Sequence, residues 1–231
     1  MNEVLRQEKK FLINQKQLYR LSYYFSQVMQ EDPHNGVDGY QIRSIYFDTL
    51  LDRDFQEKED GTEIRRKIRL RNYGPKSDFG VLEMKQKQGA YQKKRSLKIR
   101  KEDAIQLLKG NYSVLLTYDE PFAIEMFGFM NIHCYRPKAV VEYKRKAFIA
   151  KENKIRITFD HNIIATESNF DIFSTELLQY SVFPSDLVIL EVKYNGFLLS
   201  YIKDLLKSVN ESELSVSKYT LSRGVSKHYC Y

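Results

Sequence analysis

The chain has 231 residues (27.4 kDa), 42% of them hydrophobic and 13% aromatic, with 37 Lys+Arg against 30 Asp+Glu and a net charge of +7. Disordered chains are poor in aromatics, so this composition points to a folded protein, and the length suffices to bury a sizeable core. No apolar run approaches the roughly 18 residues of a membrane span, and residues 1–10 (MNEVLRQEKK) lack the apolar stretch of a signal peptide, so a cytoplasmic location is expected.

Residues 4–13 have strand character with a blurred period. Asn14 can cap a helix over 15–30, where Leu18, Leu21, Phe25 and Val28 recur at helical spacing. The turn formers of 31–39 (EDPHNGVDG) predict a loop, followed by a strand over 40–48 and a short helix over 49–59. After Gly61 come strands at 64–73, 80–87 and 92–100, punctuated by Gly74-Pro75 and Gly89, so antiparallel hairpins are the natural connection. Gly110 closes a helix over 101–109, and Pro121 lies near the start of another over 118–130. Strands follow at 138–149, 154–160, 163–167 and 187–194, then a helix over 198–209 and a basic tail, 214–231. No repeat or long linker interrupts this order. The economical expectation is one α+β domain over 1–231, with many antiparallel strands and a few packed helices.

The charge is unevenly spread. Residues 65–101 hold 14 Lys/Arg against two acids, Asp78 and Glu83, a local net of +12 that leaves −5 on the rest. One intensely basic block in a mildly acidic protein predicts a polyanionic ligand.

Several strands alternate charged and apolar residues at period two: Arg69 and Arg71 with Ile68 and Leu70, Glu83 and Lys85 with Leu82 and Met84. Arg156, Thr158 and Asp160 alternate with Ile155, Ile157 and Phe159, and Glu191 and Lys193 with Leu190, Val192 and Tyr194. Each such strand has one charged and one apolar face. Ordinarily the charged faces meet water. A closed barrel of about eight strands, with a charged lumen and helices over its apolar outside, satisfies the same pattern. Periodicity leaves the choice open.

Other chemistries have less support. There is no P-loop motif and no G-x-S-x-G elbow. The histidines (His34, His133, His161, His228) lack metal-binding spacing, and His161 beside Asp160 reads as a turn residue. Cys134 and Cys230 suit reduced bystanders rather than a framework. No nucleic-acid-binding signature is visible, so no nucleic-acid partner is expected.

Eight short motifs run in order along nearly the whole chain. They are RQEKKF at 6–11, SIYFDT at 44–49, KIRLRNYG at 67–74, VLEMKQK at 81–87, EYKRKAF at 142–148, KIRITFD at 154–160, VILEVKY at 188–194 and SKYTLSRG at 217–224. Together they resemble the VTC domain, the polyphosphate polymerase domain of the vacuolar transporter chaperone family, within the CYTH or triphosphate tunnel metalloenzyme superfamily. The resemblance implies an antiparallel β-barrel with charged side chains pointing into a tunnel and helices packed outside. It implies that Lys10, Arg69, Arg71, Lys85, Arg145, Arg156 and Lys218 bind phosphates and carry the reaction. Lys93, Arg95 and Lys193 join them on substrate, and Glu191, with Glu8 and Glu83, is assigned to a divalent metal, Mn²⁺ or Mg²⁺. Glu142 is a further candidate lumen group.

One departure bears on function. Triphosphatases of the superfamily usually begin E-x-E-x-K, where this chain has Arg6, Glu8 and Lys10. A base in place of an acid favours holding a longer anion over gathering metal ions for hydrolysis. The resemblance therefore implies a metal-dependent transfer of the ATP γ-phosphoryl group to a growing polyphosphate chain. The regulatory domain and membrane spans of eukaryotic relatives are not in the sequence, so a membrane role would run through a separate protein partner. Its rivals are a triphosphatase on the same fold, a non-catalytic polyphosphate-binding subunit and a nucleic-acid-binding barrel.

Overall fold

In the computed structural model, which describes residues 6–89, 91–207, 209 and 217–224, β1 (Arg6–Asn14) passes straight into α1 (Gln15–Val28) at Asn14. The Asn14 side chain accepts the Gln17 N–H, and the Gln17 side chain accepts the Asn14 N–H at 2.9 Å, a reciprocal cap that fixes where the helix begins. His228, Cys230 and most of the basic tail lie outside the described residues.

The chain divides into two compact units. The first takes in the described parts of Met1–Gln41, Tyr143–Ile163 and Phe183–Val216; the second takes in those of Ile42–Glu142, Ile164–Val182 and Ser217–Tyr231. Three strands, β3 (Tyr40–Asp48), β7 (Arg136–Ala150) and β8 (Ile155–Thr166), contribute residues to both.

In the first unit the strand order is β1, β10 (Leu187–Asn195), β8, β7, and the short β2 (Gln30–Glu31) also pairs with β7. β1 lies antiparallel to β10 with Lys10 opposite Glu191, and β10 lies antiparallel to β8 with Glu191 opposite Thr158. One face of these strands presents Ile13, Ile157, Phe159, Val188, Leu190 and Val192. That face is closed by Leu18, Leu21 and Phe25 of α1 and by Ile202 of α5 (Ser200–Lys207). The helical spacing in α1 thus places Leu18, Leu21 and Phe25 in the core, while Val28 is exposed. The helix ends earlier than expected, at Val28.

In the second unit β3, β4 (Ile64–Asn72), β5 (Phe79–Gln88) and β6 (Tyr91–Arg100) are successive antiparallel neighbours. Ile45, Phe47, Ile68, Leu70, Leu82, Met84, Leu97 and Ile99 share one face and pack against α3 (Lys101–Leu108), a 3₁₀ turn at Tyr112–Thr117 and α4 (Pro121–Ile132). α2 (Arg53–Glu59) is shorter than predicted because the chain first turns at Asp52 in the left-handed region (φ 55°). The short β9 (Tyr180–Ser181) pairs with the end of β8, and α6 (Lys218–Ser222) follows Ser217.

Eight long strands and two short ones are present among the described residues, and every ladder given above is antiparallel, as the α+β expectation requires. Two details depart from it. The strands expected at 154–160 and 163–167 are one strand, β8, through which the chain passes at Asn162 with φ 50°. His161 is therefore a buried strand residue rather than a turn residue, its Nε2 3.0 Å from the Asp38 carbonyl oxygen, and burial lowers its pKa.

Candidate functional site

In both units the helices cover the apolar face, so the charged face is the opposite one. The question left open by the two-residue period is settled locally by which side chains the helices touch. These charged faces are far from fully hydrated: Glu83 is 1% exposed, Asp160 0%, Glu191 5%. Carboxylates buried to this degree must be paired.

The second unit carries the densest cations. Because Arg69 is opposite Glu83 in the β4/β5 ladder, Lys67 is opposite Lys85, and Lys85 is opposite Lys94 in β5/β6. Lys67, Lys85 and Lys94 thus form a row across three adjacent strands, an arrangement that repels itself. Glu83 is the counter-charge. It accepts from Arg69 Nε at 2.5 Å and Arg71 Nη2 at 2.7 Å, and Lys94 Nζ lies 2.5 Å from its other oxygen. Burial would raise the Glu83 carboxyl, but Arg69 and Lys94 outweigh it and hold its pKa below the ordinary value. Lys67 Nζ donates to Ser217 Oγ at 2.5 Å, and Ser217 caps α6 by accepting the Thr220 N–H, so Lys218 at the head of α6 is held next to β4 through its neighbour.

Two expected groups lie elsewhere. Lys93 and Arg95 are one register step out: Arg95 is opposite Met84, on the helix-covered side, where it donates to Glu125 of α4 and stacks over Phe122, 5.0 Å from the ring centroid. Lys93 is opposite Gln86, on that same side. Lys94 takes the place expected of them. Glu142 also leaves the charged face: with Val140 in the core two residues before, it turns to Arg43, whose Nε is 2.6 Å away. Arg43 also donates to the Ile172 and Ser174 carbonyls.

The first unit brings together Glu8, Lys10, Arg145, Arg156, Glu191 and Lys193. Lys10 Nζ is 2.8 Å from Glu8 Oε1, while Lys193 Nζ is 2.5 Å from Glu191 Oε1 and 3.6 Å from Glu8 Oε2. Arg145 forms a two-point pair with Asp160 (2.6 and 2.8 Å) and reaches to 3.7 Å of Glu191. Burial would lower the Arg145 pKa, but Asp160 dominates and raises it well above the ordinary value. Arg156 donates to Asp32 Oδ2 at 2.8 Å and to the Tyr40 hydroxyl at 3.1 Å. Asp32 comes from the turn-rich loop. Despite burial, its bonds from His34 and the charge of Arg156 lower its pKa. Nothing in the local sequence pointed to Asp32 as a partner of Arg156. Lys67, by contrast, stands two residues before Arg69 at strand period and was legible.

The carboxylates differ in how they suit a divalent cation. Glu83 does not fit: three cationic groups already surround its two oxygens. Glu8 and Glu191 fit better: Lys10 lies 2.8 Å from Glu8 and Arg145 only within 3.7 Å of Glu191, and the two carboxylates already share one cation, the Lys193 ammonium. Two carboxylates leave most of a metal's coordination to phosphate oxygens and water, which is how Mg²⁺ is commonly held. Among the described residues no group of three or more His, Cys, Asp or Glu side chains is arranged to enclose a metal ion.

The VTC domain family model matches residues 5–226. The chain belongs to the VTC domain family. No curated protein matches it, but solved structures do. A Bacillus halodurans protein described as an adenylate cyclase candidate is 14% identical, covering 94% of this chain and 96% of its own, with a TM-score of 0.54. A Hippeastrum adenylyl cyclase candidate, described as having a dominant triphosphatase activity, is 12% identical over 94% of this chain and 96% of its own, at TM-score 0.57. A chain of the Schizosaccharomyces pombe Mediator head module reaches TM-score 0.51 at 6% identity, covering 90% of this chain and 96% of its own length. At such identities the likeness is one of fold, antiparallel strands with helices packed outside, as the motifs implied.

Proposed function

We propose that this VTC domain is a metal-dependent polyphosphate polymerase, moving the γ-phosphoryl group of ATP to the end of an inorganic polyphosphate chain and releasing ADP. The observation that carries this reading is the row Lys67, Lys85 and Lys94 beside Arg69 and Arg71, with Glu83 as its buried counter-charge. A face so over-supplied with cations suits repeated phosphates better than one small anion.

In the proposed step a terminal polyphosphate oxygen attacks the γ-phosphorus, the bond to the β,γ-bridging oxygen breaks, and its electron pair leaves with ADP. Phosphoryl transfer asks of a protein chiefly alignment and charge neutralisation. Arg69, Arg71, Arg145 and Arg156 supply forked donors for phosphate oxygens, and Lys10, Lys85, Lys94 and Lys218 supply compact charges. Glu8 and Glu191 would hold Mn²⁺ or Mg²⁺, which supplies positive charge to the phosphoryl oxygens. No protein nucleophile is required. On this reading ATP and inorganic polyphosphate are the ligands, with a separate membrane protein as the proposed partner.

Hydrolysis of a triphosphate is the second reading, favoured by the activity described for the Hippeastrum protein of the same fold. Incubation with ATP and Mn²⁺ separates the two. Ladders of long chains on a gel are expected; release of orthophosphate alone would replace the polymerase by the triphosphatase.

A further inference from the structure

In the first unit a cation already lies against the carboxylates assigned to the metal, and it belongs to the chain. Lys193 Nζ is 2.5 Å from Glu191 Oε1 and 3.6 Å from Glu8 Oε2, so one ammonium is shared by two carboxylates from neighbouring strands. A separate observation marks the position. Thr158 is opposite Glu191 in the β8/β10 ladder and so shares its face; it is 1% exposed, and among the described residues its Oγ1 has no hydrogen-bond partner. A buried hydroxyl oxygen left unpaired calls for an explanation, and a hard cation or a water bound to it would supply the missing partner.

We propose that Lys193 is an internal counter-cation that competes with a divalent metal for Glu8 and Glu191, with Thr158 Oγ1 completing the site when the metal enters. A metal cannot join these oxygens while the ammonium holds them without placing two positive groups a few ångströms apart. Lysine is suited to the exchange: a compact charge on a flexible stem can swing from a carboxylate to a phosphate without leaving its strand. An arriving anion draws Lys193 off both carboxylates and competes for Lys10 beside Glu8, so anion and metal enter together, each favouring the other by the same factor. The inference rests on the metal role given above to Glu8 and Glu191, and adds to it an order of occupancy and a further ligand.

The test is Mn²⁺ binding to the folded full chain without nucleotide, read from the free-ion electron paramagnetic resonance signal. Lys193→Met and Lys193→Gln are expected to bind Mn²⁺ about tenfold more tightly than the unaltered chain, since a nearby positive charge has gone. Lys207→Met, which removes an equal charge from an exposed position on α5 of the same unit, should stay within about twofold. Sulfate should tighten Mn²⁺ binding in the unaltered chain and not in Lys193→Met. The tenfold gain of Lys193→Met should vanish in the Lys193→Met/Glu191→Gln double variant; its persistence there would overturn the proposal. Equal affinity of the unaltered chain and both Lys193 variants overturns the competition while leaving the metal role standing. Failure of all of them to bind Mn²⁺ overturns both.

Discussion

Tyr219 donates its hydroxyl to Asp48 Oδ2 at 2.6 Å, joining α6 to the end of β3 across 171 positions of sequence. Asp48 is fully buried and also accepts the N–H groups of Thr49, Asp54 and Phe55, at 2.7 to 2.9 Å. Tyr219→Phe keeps the ring stacked on Tyr46 but takes away one of these donors. It should cost about 1.5–3 kcal/mol, since the acceptor is charged and buried. Lys218 precedes Tyr219, so transfer activity should fall with it. Denaturant unfolding and the ATP assay measure both; unchanged values would dissociate α6 from the site.

Glu83→Gln leaves Arg69, Arg71 and Lys94 without their anion. The variant should lose up to about 3–5 kcal/mol in phosphate-free buffer. Inorganic phosphate or polyphosphate should restore much of it, because a ligand that binds only the native state raises stability by mass action. The readout is the gain in melting temperature on adding phosphate, which should be larger for Glu83→Gln than for the unaltered chain. A melting temperature indifferent to phosphate in both would count against anion binding on this face.

Lys94 and Arg95 are adjacent but face opposite sides, and their variants should separate function from stability. Lys94→Ala should weaken polyphosphate binding by about tenfold, the loss of one charged contact. Arg95→Ala should leave that affinity within about twofold and cost about 1 kcal/mol through Glu125 and Phe122. Isothermal titration and thermal melting of the two proteins give the comparison.

The Asp54 carboxyl accepts the Tyr135 hydroxyl at 2.8 and 2.9 Å, and burial, with the charge of Asp48, raises its pKa to about 7. An unfolded aspartate ionises near pH 4, so between about 4 and 7 the native chain holds a proton that the unfolded chain has released. Stability therefore falls as pH rises through this window. Asp54→Asn removes that slope. Its melting temperature relative to the unaltered chain should climb from pH 5 to pH 8, and a constant difference would refute the assignment.

The faces of the strands, their order along the chain and the helices that cover them were legible because period two, period 3.6 and turn residues each leave a mark in sequence. Register was not. Lys93 and Arg95 lie on the helix-covered face and Lys94 on the charged one because a one-residue step inverts every side chain of a strand, and in KKR the sequence offers bases at consecutive positions. The partners of buried charges were equally hidden. Asp32 meets Arg156 across 124 positions, and Glu142 meets Arg43 across 99, pairings that only tertiary contact decides. His161 was misread because an Asp-His-Asn run resembles a turn, whereas the left-handed Asn162 lets β8 continue through it.

The pairing of β1 with β10 has a consequence for how the protein comes into being on the ribosome. The hairpins β4, β5 and β6 join residues close in sequence, with Arg69 and Glu83 only 14 apart, and can form while later segments are still being made. Glu8 meets Lys193 only once residues near 193 have been synthesised, since β1 waits for the strand that completes its ladder. A nascent chain can therefore display its basic hairpins, with Glu83 among them, well before Glu8 and Glu191 are brought side by side. On the proposed function, an incomplete polypeptide would hold phosphate before it could process it.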